Sequence, residues 1–275
     1  MCSRLGVLVS DEVFSADWLA LREAADHRSR AHELADRLGR TGQAAGWTHV
    51  LDLGSGTGSN LRYLAPRWPW VRSWTLLDHD ARLLGAASAP GIADPIRLVG
   101  DLAAEGVDAI SSADVVTASA LLDLVSEEWM TRVVDACAAR GAAALFTLSY
   151  DGSIDWRDED PDDGLVREAM NAHQRREKGI GRALGPDATV VAARLFREAG
   201  YKTCLRPSPW ILNGLKDREL TLALMQGWIE ASIELRPTDA DRLRAWQSRR
   251  AATVQAGAYE VMVGHCDVLA VPSDP

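Results

Sequence analysis

The chain has 275 residues, 47% of them hydrophobic, and a formal net charge of −9 from 39 Asp and Glu against 30 Lys and Arg. That length allows one enlarged domain or two small ones with a sizeable core, and the acidity argues against a general nucleic-acid binder. No apolar run approaches the ~20 residues of a membrane span, and the scattered Cys2, Cys137, Cys204 and Cys266 form no C-x-x-C pair that would indicate zinc or a disulfide framework.

Residues 1–14 carry little signal. The apolar run Leu5–Val9 is too short for a signal segment and meets Asp11 and Glu12 at once, so a reduced, cytoplasmic location is expected. From Ser15 to Leu38, Trp18, Leu21, Ala25, Ala31, Leu34, Ala35 and Leu38 recur at three- and four-residue steps. They predict one helix, capped by Ser15 or Asp17 and ended by Gly39 and Gly42. A first strand, Val50–Leu53, contains Asp52 and feeds Gly54-Ser55-Gly56-Thr57-Gly58, followed by a short helix capped by Ser59. A second strand ends in Asp78-His79-Asp80, with Asp80 placed to cap the next helix. A third, Ile96–Val99, ends in Gly100-Asp101-Leu102, and a fourth, Ala113–Ser119, leads into Ala120-Leu121-Leu122. Ser126 opens a helix that Gly141 closes, and a fifth strand, Ala143–Tyr150, sets Tyr150 and Asp151 at its carboxyl end.

Beyond it, the acidic stretch 151–163 precedes a helix with His173, Arg175, Arg176 and Lys178, then Gly179, Gly181 and Gly185. Opposite charges in neighbouring segments suggest that the two fold on each other. They read either as a solvated face or as a lid. A helix from Pro186-Asp187 to Ala199 leads to a sixth strand, Tyr201–Leu205, running on to Trp210–Leu212. A helix over Leu220–Leu235 stops at Pro237, and Thr238 with Asp241 resembles a capping box for another, to about Gln255. Tyr259–Val271 reads as the last strand.

Strands alternating with helices predict a doubly wound, mainly parallel α/β sheet. The dinucleotide pattern G-x-G-x-x-G would need a glycine at position 59, where the chain has Ser59. The strand ending Asp52-Leu53-Gly54-Ser55-Gly56-Thr57-Gly58 resembles motif I of the class I S-adenosylmethionine (SAM)-dependent methyltransferases. Asp78 falls on their motif II and the end of the fourth strand on motif IV. The resemblance covers roughly residues 45–150 and extends loosely over the rest. It implies seven strands in the order 3-2-1-4-5-7-6, the last antiparallel, with helical insertions forming a lid. It reads 1–275 as one methyltransferase domain: an N-terminal helical segment 1–45, a cofactor-binding core 46–150, and lid insertions with sheet completion over 151–275.

The implied cofactor is SAM. In that family Asp52 and the turn Gly54, Ser55 and Gly56 would hold its methionine end, and Arg22 on the N-terminal helix would pair with its carboxylate. Asp78 would take the ribose diol, which a carboxylate at this spacing suits. His79 would lie beside the adenine, Asp101 would accept from its amino group, and the backbone N–H of Leu102 would donate to the ring. Ser119 to Leu122 would line the floor under the sulfonium. The chain lacks the N/D-P-P-Y/F tetrapeptide after strand four, having Ala118-Ser119-Ala120-Leu121. That departure argues against the amino-group methylases of nucleic-acid bases and glutamine, and favours a small-molecule acceptor without nucleic-acid, membrane or metal partners. Tyr150 and His173 are the candidate bases. The cluster His173, Arg175 and Arg176 suggests an anionic group on the acceptor, under a lid formed by 151–185 and 215–256, with Trp156 or Trp210 as an apolar wall. The alternatives are a SAM-binding regulatory protein without turnover and an NAD(P)-dependent oxidoreductase, the latter weakened by Ser59.

Overall fold

A computed structural model describes residues 14–92, 94–178 and 181–273. The run Leu5–Val9 and Gly179 lie outside the described residues, as does the side chain of Lys178. The chain opens with helices α1 (Ala16–Ser29) and α2 (His32–Ala45), then β1 (His49–Leu53), α3 (Ser59–Leu64), β2 (Ser73–Asp78), α4 (Ala81–Ala86) and β3 (Ile96–Val99). It continues with α5 (Glu105–Ala109), β4 (Val115–Ser119), α6 (Glu127–Arg140), β5 (Ala143–Trp156) and α7 (Asp163–Gln174). A two-rung ladder of β6 (Glu177–Lys178) and β7 (Gly181–Arg182) follows, then α8 (Ala188–Glu198), β8 (Tyr201–Pro207) and β9 (Trp210–Asn213). Last come α9 (Arg218–Leu235), α10 (Ala240–Gln255) and β10 (Glu260–Pro272).

The main sheet runs β3-β2-β1-β4-β5-β10-β8, with β9 paired to β10 beside β8. β1 to β5 are parallel, and β10 is antiparallel to β5, β8 and β9. This is the expected order, with β8 and β10 as the sixth and seventh strands. β1, β2 and β4 are almost continuously buried because helices cover both faces. The strand order reverses between β1 and β4, and an α/β sheet opens a crevice at the carboxyl ends of its strands at that point.

The expected single helix over 15–38 is two. Ser15 caps α1, its Oγ accepting from the Trp18 N–H at 3.1 Å. The chain then breaks at Arg30-Ala31, where the Ala31 N–H donates to buried Asp267 on β10 at 2.9 Å instead of to an upstream carbonyl. Gly39 and Gly42 do not end α2. They sit inside it, where a Cβ would lie 2.9 Å from the Trp68 ring and 2.6 Å from the Trp70 ring, and Gly46 at φ 72° is the cap. Their smallness admits the stack of Trp68 on Trp70 and Trp74. Ser59 is the first helical residue of α3 and makes no cap bond; Gly58, at φ 82°, precedes it. Thr238 and Asp241 form no capping box. A 3₁₀ turn over Pro237–Asp239 leads into α10, and Asp241 accepts from Arg244 at 3.1 Å.

β5 runs six residues beyond Tyr150, so Tyr150 faces His265 inside the β5–β10 ladder and is not at a strand end. Within this strand Leu148 adopts φ 57°. Its N–H donates to Asp267 at 2.7 Å, which holds the otherwise costly left-handed conformation. The acidic stretch folds in part on the neighbouring helix, where Asp155 pairs with Arg167 of α7 at 2.8 Å, but its later acids turn to α10. Asp160 and Asp162 pair with Arg249 at 2.7 and 2.8 Å, Asp162 with Arg242 at 2.5 Å, and Asp163 with Arg250, all from α10.

Candidate active site

At the reversal point the turn after β1 carries Gly54 at φ 64°, Gly56 at φ 51° and Gly58 at φ 82°. A Cβ on Gly56 would stand 2.9 Å from Leu19 of α1, and one on Gly54 would touch Leu121, so side chains there would fill the space the turn leaves. The turn is fastened to β2. The Ser55 N–H donates to the Leu77 carbonyl at 3.0 Å, and the Gly56 N–H donates to Asp78 Oδ2 at 2.8 Å. Asp78 Oδ1 accepts from the Asp80 N–H at 3.0 Å and stands 3.3 Å from His79 Nδ1. Asp78 is thus both a buried clasp and a carboxylate at the cavity wall, while the His79 side chain is exposed.

Asp52, 1% exposed, lies beneath the turn. Its Oδ1 accepts from Asn60 Nδ2 at 2.6 Å and from Thr117 Oγ1 at 2.8 Å, whereas its buried Oδ2 has no partner in the protein. Burial pushes its carboxyl up to about 6, although Asn60, Thr117 and Arg30 pull the other way.

These groups surround a cavity of about 520 Å³, within the usual range for small-molecule sites. All ten residues expected at the cofactor line it: Arg22, Asp52, Gly54, Ser55, Gly56, Asp78, His79, Asp101, Leu102 and Ser119. Arg22 and Asp101 also have partners within the protein. Arg22 donates to both oxygens of Asp26, at 2.9 and 3.2 Å, and its guanidinium lies 5.0 Å from the Trp210 ring. Asp101 accepts from the Ala103 N–H at 2.6 Å, and its own N–H donates to Glu105.

On the opposite side the cavity meets Leu121, Leu124 and Val125 and a charged rim of His173, Arg176, Glu177 and Glu234. Glu234 of α9 pairs with Arg176 and stands 3.5 Å from His173 Nε2, so a carboxylate already lies between the guanidinium and the imidazole. The Arg176 guanidinium holds its carboxyl below the ordinary glutamate range. Arg175 points elsewhere, to Asp187 at 3.1 Å.

Three expectations fail on geometry. Tyr150 does not line the cavity: it is packed in the sheet, its hydroxyl donates to Asn171 Oδ1 at 2.9 Å, and burial raises its pKa, the wrong direction for a base. Trp156 and Trp210 are buried in the neighbouring core, against Trp246 and against His265 respectively, and neither forms the cavity wall. Sequence reasoning missed Asn60 and Glu234, which line the cavity, and Arg30, which lies behind it. The one available signal for Asn60 was an amide eight residues after Asp52 on a helix returning over the same turn.

Among the described residues, no group of His, Cys, Asp and Glu could hold a metal ion, and no helix is long and apolar enough to cross a membrane. No protein-family model matches the chain, and no curated protein matches it. Solved structures do. A cyclopropane-fatty-acyl-phospholipid synthase-like protein from Lactobacillus casei is 14% identical with a TM-score of 0.53, the match covering 94% of each chain. SAM-dependent methyltransferases from Geobacter sulfurreducens and Thiobacillus denitrificans, both solved with S-adenosyl-L-homocysteine, are 17% and 18% identical. Each match covers 94% of this chain and 99% of the other, with TM-scores of 0.44 and 0.43. With the sheet order and the turn after β1, the chain has the class I methyltransferase fold.

Proposed function

We propose that this chain is a SAM-dependent methyltransferase acting on a small-molecule acceptor. The observation that carries the reading is the pair of carboxylates at the ends of adjacent strands, with glycine N–H groups between them. Asp52 has a buried oxygen with no protein partner at the cavity, the acceptor that an ammonium group would need. Asp78 is held by two backbone N–H groups with its oxygens at the wall, suited to a ribose diol. Asp101 and the backbone of Leu102 stand beyond it for the adenine edge.

Bound SAM supplies a methyl group already activated on a sulfonium. The protein's own work is therefore alignment and exclusion of water. Ser119, Ala120 and Leu121 form the floor between the cofactor end and the acceptor end. Ala120 is held at φ 53°, its N–H donating to the Thr147 carbonyl at 2.8 Å, which turns the chain sharply there. Leu121, Leu124 and Val125 suit the apolar body of an acceptor. An anionic group on that acceptor would meet Arg176 and His173 by replacing Glu234, and His173 is the cavity-lining candidate for accepting a proton from a hydroxyl nucleophile.

S-adenosylhomocysteine (SAH) at about 100 times its Kd should stabilise the fold by about 2.7 kcal/mol, and NADH should not. Asp78→Ala should weaken SAH binding at least ~100-fold, about 2.7 kcal/mol, and should lower the melting temperature as well, because the Gly56 and Asp80 N–H groups lose their acceptor. A melting shift with NADH and none with SAH would overturn the assignment. For the acceptor, methyl transfer from labelled SAM to carboxylates but not to their amides is expected; the reverse preference would remove the anionic group.

A further inference from the structure

We propose that Arg30 is the positioning residue of the cavity floor, a buried guanidinium that fixes Asn60 and Ser119 from behind and keeps Asp52 ready to receive a cation. This deepens the methyltransferase reading and rests on it for the identity of the ligand.

Arg30 occupies the break between α1 and α2, is 3% exposed, and does not line the cavity. One terminal nitrogen donates to Asn60 Oδ1 at 2.5 Å, and the other donates to Ser119 Oγ at 3.0 Å. Both partners do line the cavity. A guanidinium only donates, so it fixes the Asn60 amide in one sense. The amide carbonyl faces Arg30 and the NH₂ faces Asp52 Oδ1, at 2.6 Å. The flipped amide would set donor against donor and carbonyl against carboxylate. With Thr117 on the same oxygen, Oδ2 is left for a ligand. Ser119 accepts from Arg30, so its hydroxyl proton turns away from the guanidinium.

The charges around this unit come from every side. Asp26 and His27 stand on α1, Tyr63 on α3 with its ring 4.5 Å from the guanidinium, Asp78 on β2 and Asp267 on β10. Asp78 opposes ionisation of Asp52 and Arg30 favours it. Stability alone does not call for arginine here, since buried charges are often replaceable by packed apolar side chains without loss.

The test has two arms. The first is the titration of the Asp52 carboxyl, followed by carbon NMR in protein without ligand. The second is SAH affinity between about pH 5.5 and about pH 8.5, bracketing that titration. Wild-type Asp52 should titrate at about 6. Arg30→Gln should move the midpoint up by about one unit or more, as removal of a close opposite charge does. It should also weaken SAH ~10-fold at neutral pH, with recovery at higher pH. Arg30→Lys keeps the charge but can reach only one partner. It should leave the midpoint near wild type and still weaken SAH several-fold, and it decides the matter if Arg30→Gln does not fold. An unmoved Asp52 midpoint in Arg30→Gln, or wild-type SAH affinity in Arg30→Lys, overturns the proposal. A wild type that ignores SAH while Arg30→Gln still shifts Asp52 would overturn the cofactor reading and leave the positioning role standing.

Discussion

The two sides of the cavity are built on different principles. On the side formed by β1, β2 and β4, the charged groups that face the space are carboxylates held by fixed donors of the protein, Asp78 by the backbone N–H groups of Gly56 and Asp80 and Asp52 by the side chains of Asn60 and Thr117. On the side formed by the end of α7 and by α9, they are side chains that already satisfy one another, as Arg176 does on Glu234 with His173 alongside. The first surface is complete before anything binds. The second must exchange partners to bind a charged group. Preorganised donors cost nothing at the moment of binding, whereas a partner exchange returns only the difference between two ion pairs. A shared cofactor and a changeable acceptor would call for such an asymmetry.

The two sides should also be separable in energy. The largest expected effect lies in the support of the second. Arg250 of α10 is nearly buried, pairs with Asp163, donates to the Asp158 carbonyl at 2.7 Å, and lies 4.4 Å from the Trp156 ring. Arg250→Met leaves Asp163 without its charge partner and should cost about 3–5 kcal/mol of unfolding free energy while leaving SAH affinity within about twofold, well under 1.4 kcal/mol. If SAH binding falls in step with stability, the separation is wrong.

Next in size is Asp52→Asn. Burial raises this carboxyl from 3.8 to about 6. The folded state therefore favours the protonated acid: stability is lost as the pH rises from 3.8 to about 6, and the full cost of the ionised form is present above that. About two units amount to ~3 kcal/mol. The introduced amide would keep an oxygen for the Asn60 and Thr117 donors. Denaturant melts at about pH 7.5, above the folded-state titration, should show Asp52→Asn to be more stable than wild type and unable to bind SAH tightly. Lower stability would mean that the charge is solvated in some other way.

A smaller effect follows from a buried histidine, His265, and a half-buried one, His27. Burial, with Arg22 nearby, lowers His265 from 6.5 to about 3, and burial with Arg30 lowers His27. The unfolded chain takes up protons at both as the pH falls through 6.5, while the fold resists. Their contribution is present above 6.5 and declines below it. Proton uptake by Asp52 near 6 offsets one of the two. Unfolding free energy should therefore fall by about 1–2 kcal/mol between about pH 7 and about pH 5, and His265→Phe should flatten most of that slope.

What was readable in the sequence follows the same division. Asp78, Asp101 and Ser119 follow strands whose ends are set by turn chemistry, so counting along the chain places them. Tyr150 was misplaced because nothing local announces that β5 passes through a left-handed Leu148 and continues to Trp156; that conformation is held by Asp267, 119 residues away. Arg30 was hidden inside an apolar periodicity that spans the helix break, since the break is made by a distant carboxylate and not by a glycine or proline. Gly39 and Gly42 look like stop signals until the Trp68 and Trp70 rings that need their space are in view. Glu234 is one acid among many on an acidic chain, and only the packing of α9 beside the end of α7 gives it a cation to hold.

The smallest expected effect is at that residue. Its pair with Arg176 is partly exposed, so Glu234→Gln should change unfolding free energy by less than about 1 kcal/mol and leave SAH affinity unchanged. The same variant should bind anionic acceptors more tightly, which equilibrium binding of a carboxylate series would detect. Weaker binding would assign Glu234 itself to the acceptor and make the second side of the cavity a cation site.

Asp267 has a consequence for the order in which the molecule assembles. It receives the Ala31 N–H across a sequence separation of 236, the Leu148 N–H across 119 and the Ser208 hydroxyl across 59. It rides on β10, which slots between β5 and β8 in the middle of that half of the sheet. Contacts of such long range close slowly, because the loop entropy is lost before the contact repays it. During synthesis β1 to β5 can pair as they emerge, yet the break that seats Arg30 cannot be fastened until β10 has threaded between its neighbours. In refolding, recovery of ligand binding should lag behind formation of the sheet, as a slow phase that Asp267→Asn lengthens.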